Sequence, residues 1–315
     1  MPHWLLKAAV QRGLGVLPSS HRLNEVLQRW VTHSLDLTPE RFLTHLDNCR
    51  SHLEHFRRWG LAKGAGFSAF DLGTGWYPVV PVGLFLCGAR EVWTWDIVQH
   101  VNLHRSVTVL QQFDELARQG VLRHYLPELI PERLERLRDA AAASVSDDAI
   151  ELLNTLNIRY CVGDASVCRL PHNSVDLIVS FGVFEYLSIT ELTAILREFR
   201  RIARPDAVMS HWIDLRDQYA HFDPHISRFN FLQYSDRAWR LLNNPMIPLN
   251  RLRISDYRPL MREAGFTLVD ENAVLADEAE LARVPLAPRF SSYPTRDLLA
   301  LHAWLVAVPG EASER

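Results

Sequence analysis

Apolar positions along this chain follow two different periods. Between 21 and 60 they recur at helical spacing, first as Leu23, Val26, Leu27, Trp30 and Val31, then as Phe42, Leu43, Leu46, Leu53 and Phe56. Thr38-Pro39-Glu40-Arg41 reads as a helix start with proline at the first helical position. This stretch has no strand pattern, so residues 1–63 are expected to form a helical N-terminal cap. After Gly64-Ala65-Gly66 the character changes. Short apolar runs at 67–72, 91–97, 158–162, 175–180 and 207–213 are separated by helical stretches, among them 79–88, 99–117 and 190–203. Continuous apolar runs such as Val175–Ser180 suit parallel strands buried on both faces. A helix at 255–264, stopped by Gly265, and two more strands at 266–274 and 298–308 complete the pattern.

Two stretches interrupt it. Residues 118–158 are long for a connection and predict an inserted helical pair at 132–143 and 148–156. Residues 214–254 are polar and aromatic without a clear period; Tyr219, Phe222, Phe229, Phe231, Tyr234 and Trp239 argue against disorder there. The whole predicts an α/β fold, a doubly wound, seven-stranded, mostly parallel sheet over 64–315 with insertions at 118–158 and 214–254. Such sheets bind ligands at the carboxyl ends of their strands, near the point where strand order reverses.

Composition narrows the function classes. At 48% apolar and 23% charged residues, the 315-residue chain is an ordinary globular protein rather than a disordered one. Its formal charge of −3 supplies no global basic field, so no nucleic-acid partner is expected. Cys49, Cys87, Cys161 and Cys168 have neither zinc-ligand nor redox spacing, which fits reduced thiols in a cytoplasmic protein. No run reaches the roughly 20 apolar residues that span a bilayer, and no stable membrane insertion is expected.

Four motifs carry chemistry. Phe70-Asp71-Leu72-Gly73-Thr74-Gly75 follows the first strand; its glycines admit backbone angles closed to other residues and let a ligand approach the chain. Asp96 ends the second strand, 21 residues after Gly75, where an acid can accept from both hydroxyls of a ribose. Gly163-Asp164-Ala165 follows the third strand, where a carboxylate and a backbone N–H suit an adenine edge; a plain turn acid is the alternative. Ser180-Phe181 ends the fourth strand.

In this order and at these spacings, the motifs resemble those of class I S-adenosylmethionine-dependent methyltransferases, over roughly residues 66–213 and the closing elements around 255–308. The resemblance implies a Rossmann-like fold whose last strand is antiparallel, with S-adenosyl-L-methionine as cofactor. It implies that Asp71, Gly73 and Gly75 bound the methionine end, that Asp96 holds the ribose, and that Asp164 and Ala165 hold the adenine. Phe181 would line the site near the sulfonium. Tyr77 stands where the family often has a third small residue, and Pro78 stands where a nicotinamide fingerprint would need its third glycine.

Methyl transfer is an in-line displacement, and a hydroxyl acceptor gains from a base. After the fourth and fifth strands the sequence offers Glu185, His211, Asp214, Asp217, His221, Asp223 and His225. His221 is the first candidate base, oriented by Asp217 or Asp214, and His211 is the alternative. Arg228, Asn230, Tyr234, Asn250, Arg251 and Arg253 are candidates for the acceptor pocket, its arginines for a phosphate or carboxylate. The stretches 228–235 and 250–253 resemble a pattern in bacterial methyltransferases, some encoded near glycan-biosynthesis genes. The expected acceptor is accordingly O or N of a small metabolite or glycan precursor. No metal is expected: Pro224 breaks the helical spacing of His221 and His225. The rival readings are a non-catalytic scaffold of the same fold and a nucleic-acid methyltransferase. Against the latter, Ser180-Phe181-Gly182-Val183 stands where amino-methylating DNA enzymes carry an Asn/Asp-Pro-Pro-aromatic run.

Overall fold

A computed structural model of the protein describes residues 37–60, 66–143, 148–221, 223–243 and 248–310. The helical expectation for 21–36 and the proposed boundary at 63–64 lie outside these residues. Helix α1 (Pro39–Trp59) starts where the cap signal predicts: the Thr38 hydroxyl accepts from the Arg41 N–H and Pro39 opens the first turn. Its apolar stripe of Phe42, Leu46, Cys49, Leu53 and Phe56 is buried in the same core as the sheet.

Strand β1 (Ser68–Leu72) is buried at every position. Helix α2 (Val79–Leu86) is apolar all round and buried all round, because α1 covers it. Then come β2 (Glu91–Asp96) and α3 (Leu103–Arg118), the latter capped by Asn102. The 118–158 insertion holds α4 (Leu122–Tyr125), α5 (Pro131–Ala143) and α6 (Ala149–Thr155), the last two being the expected pair. Strands β3 (Ile158–Val162) and β4 (Val175–Phe181) follow. Helix α7 (Ile189–Ile202) opens with a Ser188–Glu191 capping box and leads into β5 (Ala203–Asp214). Strand β5 begins four residues earlier than its apolar run, with a register shift in its pairing to β4 that accommodates Pro205. Helices α8 (Asp236–Leu242) and α9 (Ile254–Glu263) precede β6 (Phe266–Leu275). Short helices α10 (Glu278–Leu281) and α11 (Thr295–Leu299) lead to β7 (Ala300–Pro309).

The sheet has seven strands in the order β3-β2-β1-β4-β5-β7-β6. β3 to β5 are parallel, and the last strand, β7, runs antiparallel to both its neighbours. This is the expected doubly wound, Rossmann-like sheet. Strand order reverses at β1, with β2 on one side and β4 on the other, which opens a crevice at their carboxyl ends. One core packs α1, α2, α3 and the 118–158 helices on one face; another packs α7 and α9 on the other. A third, aromatic core joins Phe229, Phe231 and Trp239 of the 214–254 insertion to Phe290 and Leu298. Those aromatics lack a period because they pack from turns and a short helix rather than from one regular element. Among the described residues no helix is long and apolar enough to cross a membrane.

Candidate functional site

The carboxyl ends of β1 and β2 are joined by the glycine loop. Gly73 and Gly75 take φ of +75° and +70°, where side chains are strained. A Cβ at Gly73 would also stand 2.4 Å from Val183 Cγ2, so glycine is required there on two counts. The Gly75 N–H donates to both oxygens of Asp96 at 3.2 Å, and the Tyr160 hydroxyl donates to Asp96 Oδ2 at 2.8 Å. The same Tyr160 oxygen accepts from the His100 N–H at 3.1 Å. Burial raises Asp96 to about 6, against the lowering effect of Tyr160 and Gly75. Asp71 is buried behind the loop, accepts from the Thr74 hydroxyl at 2.7 Å, and is raised by burial to about 7.

Val162, the last residue of β3, pairs with Asp96. Beyond it, the Asp164 carboxylate accepts from the Ser166 N–H at 2.8 Å and caps a turn at Ala165–Val167. Asp164 is exposed and Ala165 is buried. Around this turn three apolar side chains face solvent: Ile97 (70% exposed), Val162 (48%) and Val167 (60%). Sequence reasoning named none of them as site residues. Their signal was position, immediately beside the two motif acids. Tyr160 was missed as well; a tyrosine inside a strand needs a partner for its hydroxyl, and Asp96 is that partner.

The second half of the crevice lies at the ends of β4, β5 and β7. Phe181 is half-buried, with its ring 4.5 Å from Trp212 and 5.2 Å from His45 of α1. Trp212 continues to His302 at 5.2 Å, and His302 pairs with Asp214. His45 is held neutral, lowered to about 4 by burial and by Arg41. It was legible as a polar residue on the apolar stripe of a helix.

The candidate bases separate. His221 is partly exposed, with Nε2 3.8 Å from Asp214 Oδ2. Burial would raise Asp214, but bonds from Arg216 and His221 hold it well below the usual carboxylate range. Asp217 is fully buried and tied to the insertion: it accepts from the Tyr219 N–H and the Asn230 amide, each at 2.9 Å. Burial raises it to about 6. His211 lies in the core between Phe184 and Phe199, bonded through Nδ1 to Ser180, and burial lowers it to about 3. Its ring presents no exposed edge to the crevice.

The arginines expected to bind an anion are engaged elsewhere. Arg251 donates to the carbonyls of Phe231 and Tyr234 and to Asp236. Arg253 donates to the carbonyls of Leu215, Asp297, Leu298 and Ala300. Arg228 pairs with Glu280. The Asn250 amide donates to the carbonyls of Phe184 and Leu187. The 228–235 and 250–253 pattern is therefore a scaffold that fastens the insertion to the turn after β4. Among the described residues no group of three or more His, Cys, Asp or Glu is gathered as a metal site.

A family model described as a methyltransferase domain matches residues 109–210, from within α3 to within β5. No curated protein matches the chain in sequence. Among solved structures, the PH0226 protein from Pyrococcus horikoshii is similar at 13% identity and a TM-score of 0.49, covering 90% of this chain and 97% of its own. An S-adenosylmethionine dependent methyltransferase from Mesorhizobium loti is similar at 15% identity and 0.41, covering 84% and 99%. A SAM dependent methyltransferase from Aquifex aeolicus is similar at 13% and 0.41, covering 87% and 100%.

Proposed function

We propose that the chain is a class I S-adenosylmethionine-dependent methyltransferase, which transfers a methyl group to O or N of a small metabolite or glycan precursor held at the ends of β4, β5 and β7. The observation that carries the reading is the closure of the glycine loop on Asp96 through the Gly75 N–H, across the point where strand order reverses.

The residues fit the cofactor. Gly75 leaves open space against the backbone for a ligand, Gly73 lets Val183 pack against the loop, and Asp71 with Thr74 stiffens it. Asp96 offers carboxylate lone pairs to ribose hydroxyls. Ile97, Val162 and Val167 offer apolar surface that a flat adenine would cover, with Asp164 and the Ala165 N–H beside it. When bound, the cofactor supplies a methyl group on a sulfonium sulfur, which keeps the electron pair of the broken C–S bond.

On the acceptor side, His221 takes the proton of the attacking group and Asp214 orients and stabilises the resulting imidazolium. Asp214 has this role rather than Asp217, whose oxygens serve Tyr219 and Asn230. The rings of Phe181 and Trp212 bound the path between cofactor and acceptor.

The test is calorimetric titration with S-adenosylmethionine and, separately, with its demethylated product. Micromolar binding of both is expected; no binding of either by the folded protein would sink the proposal. His221→Ala is expected to lower methyl turnover on an oxygen acceptor by about 10²–10⁴-fold. Its affinity for the demethylated product should stay unchanged. Unaltered turnover would remove His221 from the role of base.

A further inference from the structure

The residue after Gly75 is a tryptophan that the reading above leaves unused. Trp76 is half-buried. The central carbon of the Arg105 guanidinium stands 4.3 Å from its ring centroid, and the His100 ring is 4.5 Å away. Arg105 lies in the first turn of α3 and is 8% exposed. A cation there opposes the helix dipole, and the first turn carries no acid to offset it. Helix formation alone does not call for a buried arginine at this position, so its reason lies in what it touches.

Its contacts close a circuit around Asp96. Arg105 Nη1 donates to the His100 carbonyl at 3.2 Å. The His100 N–H donates to the Tyr160 hydroxyl at 3.1 Å, and that hydroxyl donates to Asp96 Oδ2 at 2.8 Å. From the other side the Gly75 N–H donates to both Asp96 oxygens at 3.2 Å, and the next residue, Trp76, returns to Arg105. One guanidinium thus joins two loops, the glycine loop through the Trp76 ring and the β2–α3 loop through His100. A planar guanidinium can lie against a ring and donate in its own plane at once.

The glycine loop needs such an anchor. Gly75 is at φ +70°, and a Cβ there would meet nothing nearer than the Gly73 carbonyl oxygen at 4.0 Å. A residue with that backbone freedom and no packing around it is oriented by its flanks. On one flank the Thr74 hydroxyl is held by Asp71. On the other flank stands Trp76. We propose that Arg105 is a positioning residue for cofactor binding: it carries the Trp76 ring and ties the His100 carbonyl, so that the Gly75 N–H and the Tyr160 hydroxyl stay on Asp96 and the carboxylate keeps one orientation. This rests on the reading of Asp96 as the acid that holds the ribose.

The test is calorimetric titration of the full chain with S-adenosylhomocysteine between pH 5 and 8, with thermal midpoints recorded alongside. Wild type is compared with Trp76→Phe, Trp76→Leu, Arg105→Ala and the double variant Trp76→Leu/Arg105→Ala. Trp76→Phe keeps a ring for the guanidinium and should bind within about threefold of wild type. Trp76→Leu and Arg105→Ala should each lose about tenfold. The double variant should bind within about threefold of Arg105→Ala, because both substitutions open the same circuit. The groups bearing on Asp96 are the Tyr160 hydroxyl, the Gly75 N–H and, behind the loop, the Asp71 carboxyl. The two donors favour the charged form, so a loop released from Arg105 should move the midpoint of the pH-dependent loss of binding upward in Trp76→Leu and leave it in place in Trp76→Phe. Equal affinities for Trp76→Phe and Trp76→Leu, additive losses in the double variant, or an unmoved midpoint in Trp76→Leu would each overturn the proposal. If Arg105→Ala fails to fold, the two substitutions of half-buried Trp76 decide it alone. Failure of the wild type to bind S-adenosylhomocysteine would instead overturn the methyltransferase reading.

Discussion

Arg253→Ala is expected to destabilise the protein by about 3–5 kcal/mol, the cost of removing one member of a buried, charge-assisted network. Arg253 is completely buried, and burial lowers it to about 10, so it stays protonated at neutral pH. Its guanidinium donates to Leu215 at the end of β5, to Asp297 and Leu298 of α11, and to Ala300 at the start of β7. These carbonyls lie where the β5–β7 ladder ends, just past the Asp214–His302 pair, and at the last residues of α11, so no regular pairing supplies a backbone N–H in place of the lost donors. Alanine leaves several buried acceptors unsatisfied, at about 1–3 kcal/mol each before relaxation, together with a cavity. The thermal midpoint should fall by on the order of 10 °C. Arg253→Lys should recover less than half of the loss, because one ammonium cannot replace a planar fork of five donors. Arg251→Ala should cost less, since its carboxylate partner Asp236 is largely exposed. Denaturation scans of the three variants decide it. A midpoint for Arg253→Ala within about 2 °C of wild type would return Arg253 to the list of candidate acceptor-binding residues.

That result bears on what a sequence can reveal. The sheet was legible because short, mostly apolar runs, continuous in β4 and alternating in burial in β2, recur between helical stretches. The antiparallel last strand was legible only through resemblance, since β7 reads as another apolar run. Glycine loop and acids were legible because backbone freedom and charge are properties of single residues at fixed offsets. Arginine is different. Arg228, Arg251 and Arg253 suggested anion binding by residue type, yet whether a guanidinium meets a ligand or a carbonyl depends on the path of a loop without periodicity. The same limit hid the choice between Asp214 and Asp217 as partner of His221. Both lie within a few residues of it, and only the turn at Gln218–His221 directs one toward the ring and the other toward Asn230. His45 and Tyr160 came from elements read for packing alone, though each breaks the apolar pattern of its own element.

Asp96→Ala is expected to reduce affinity for S-adenosylmethionine and for its demethylated product by about 10²–10⁴-fold. Two hydroxyl bonds to a carboxylate are worth about 1.5–3 kcal/mol each, and 1.4 kcal/mol is tenfold in affinity. The loss can be assigned to the site rather than to unfolding. Asp96 is raised by burial to about 6, above the ordinary aspartate value. A group raised in the folded state contributes stability at low pH and loses it as pH rises through about 6. At neutral pH its removal therefore deletes a strained charge, and the variant should melt near wild type. The same shift predicts the pH dependence of binding. As pH falls from 7.5 to 5, Asp96 takes up a proton and loses the charge that favours two donors, so affinity should drop by about tenfold. Tyr160→Phe removes a donor that holds Asp96 down, and should move the midpoint of that drop to higher pH. Titrations at several pH values on wild type, Asp96→Ala and Tyr160→Phe separate the possibilities. If Asp96→Ala binds within about threefold of wild type, the ribose is held elsewhere. If Tyr160→Phe leaves the midpoint in place, its hydroxyl is a packing contact rather than part of the cofactor site.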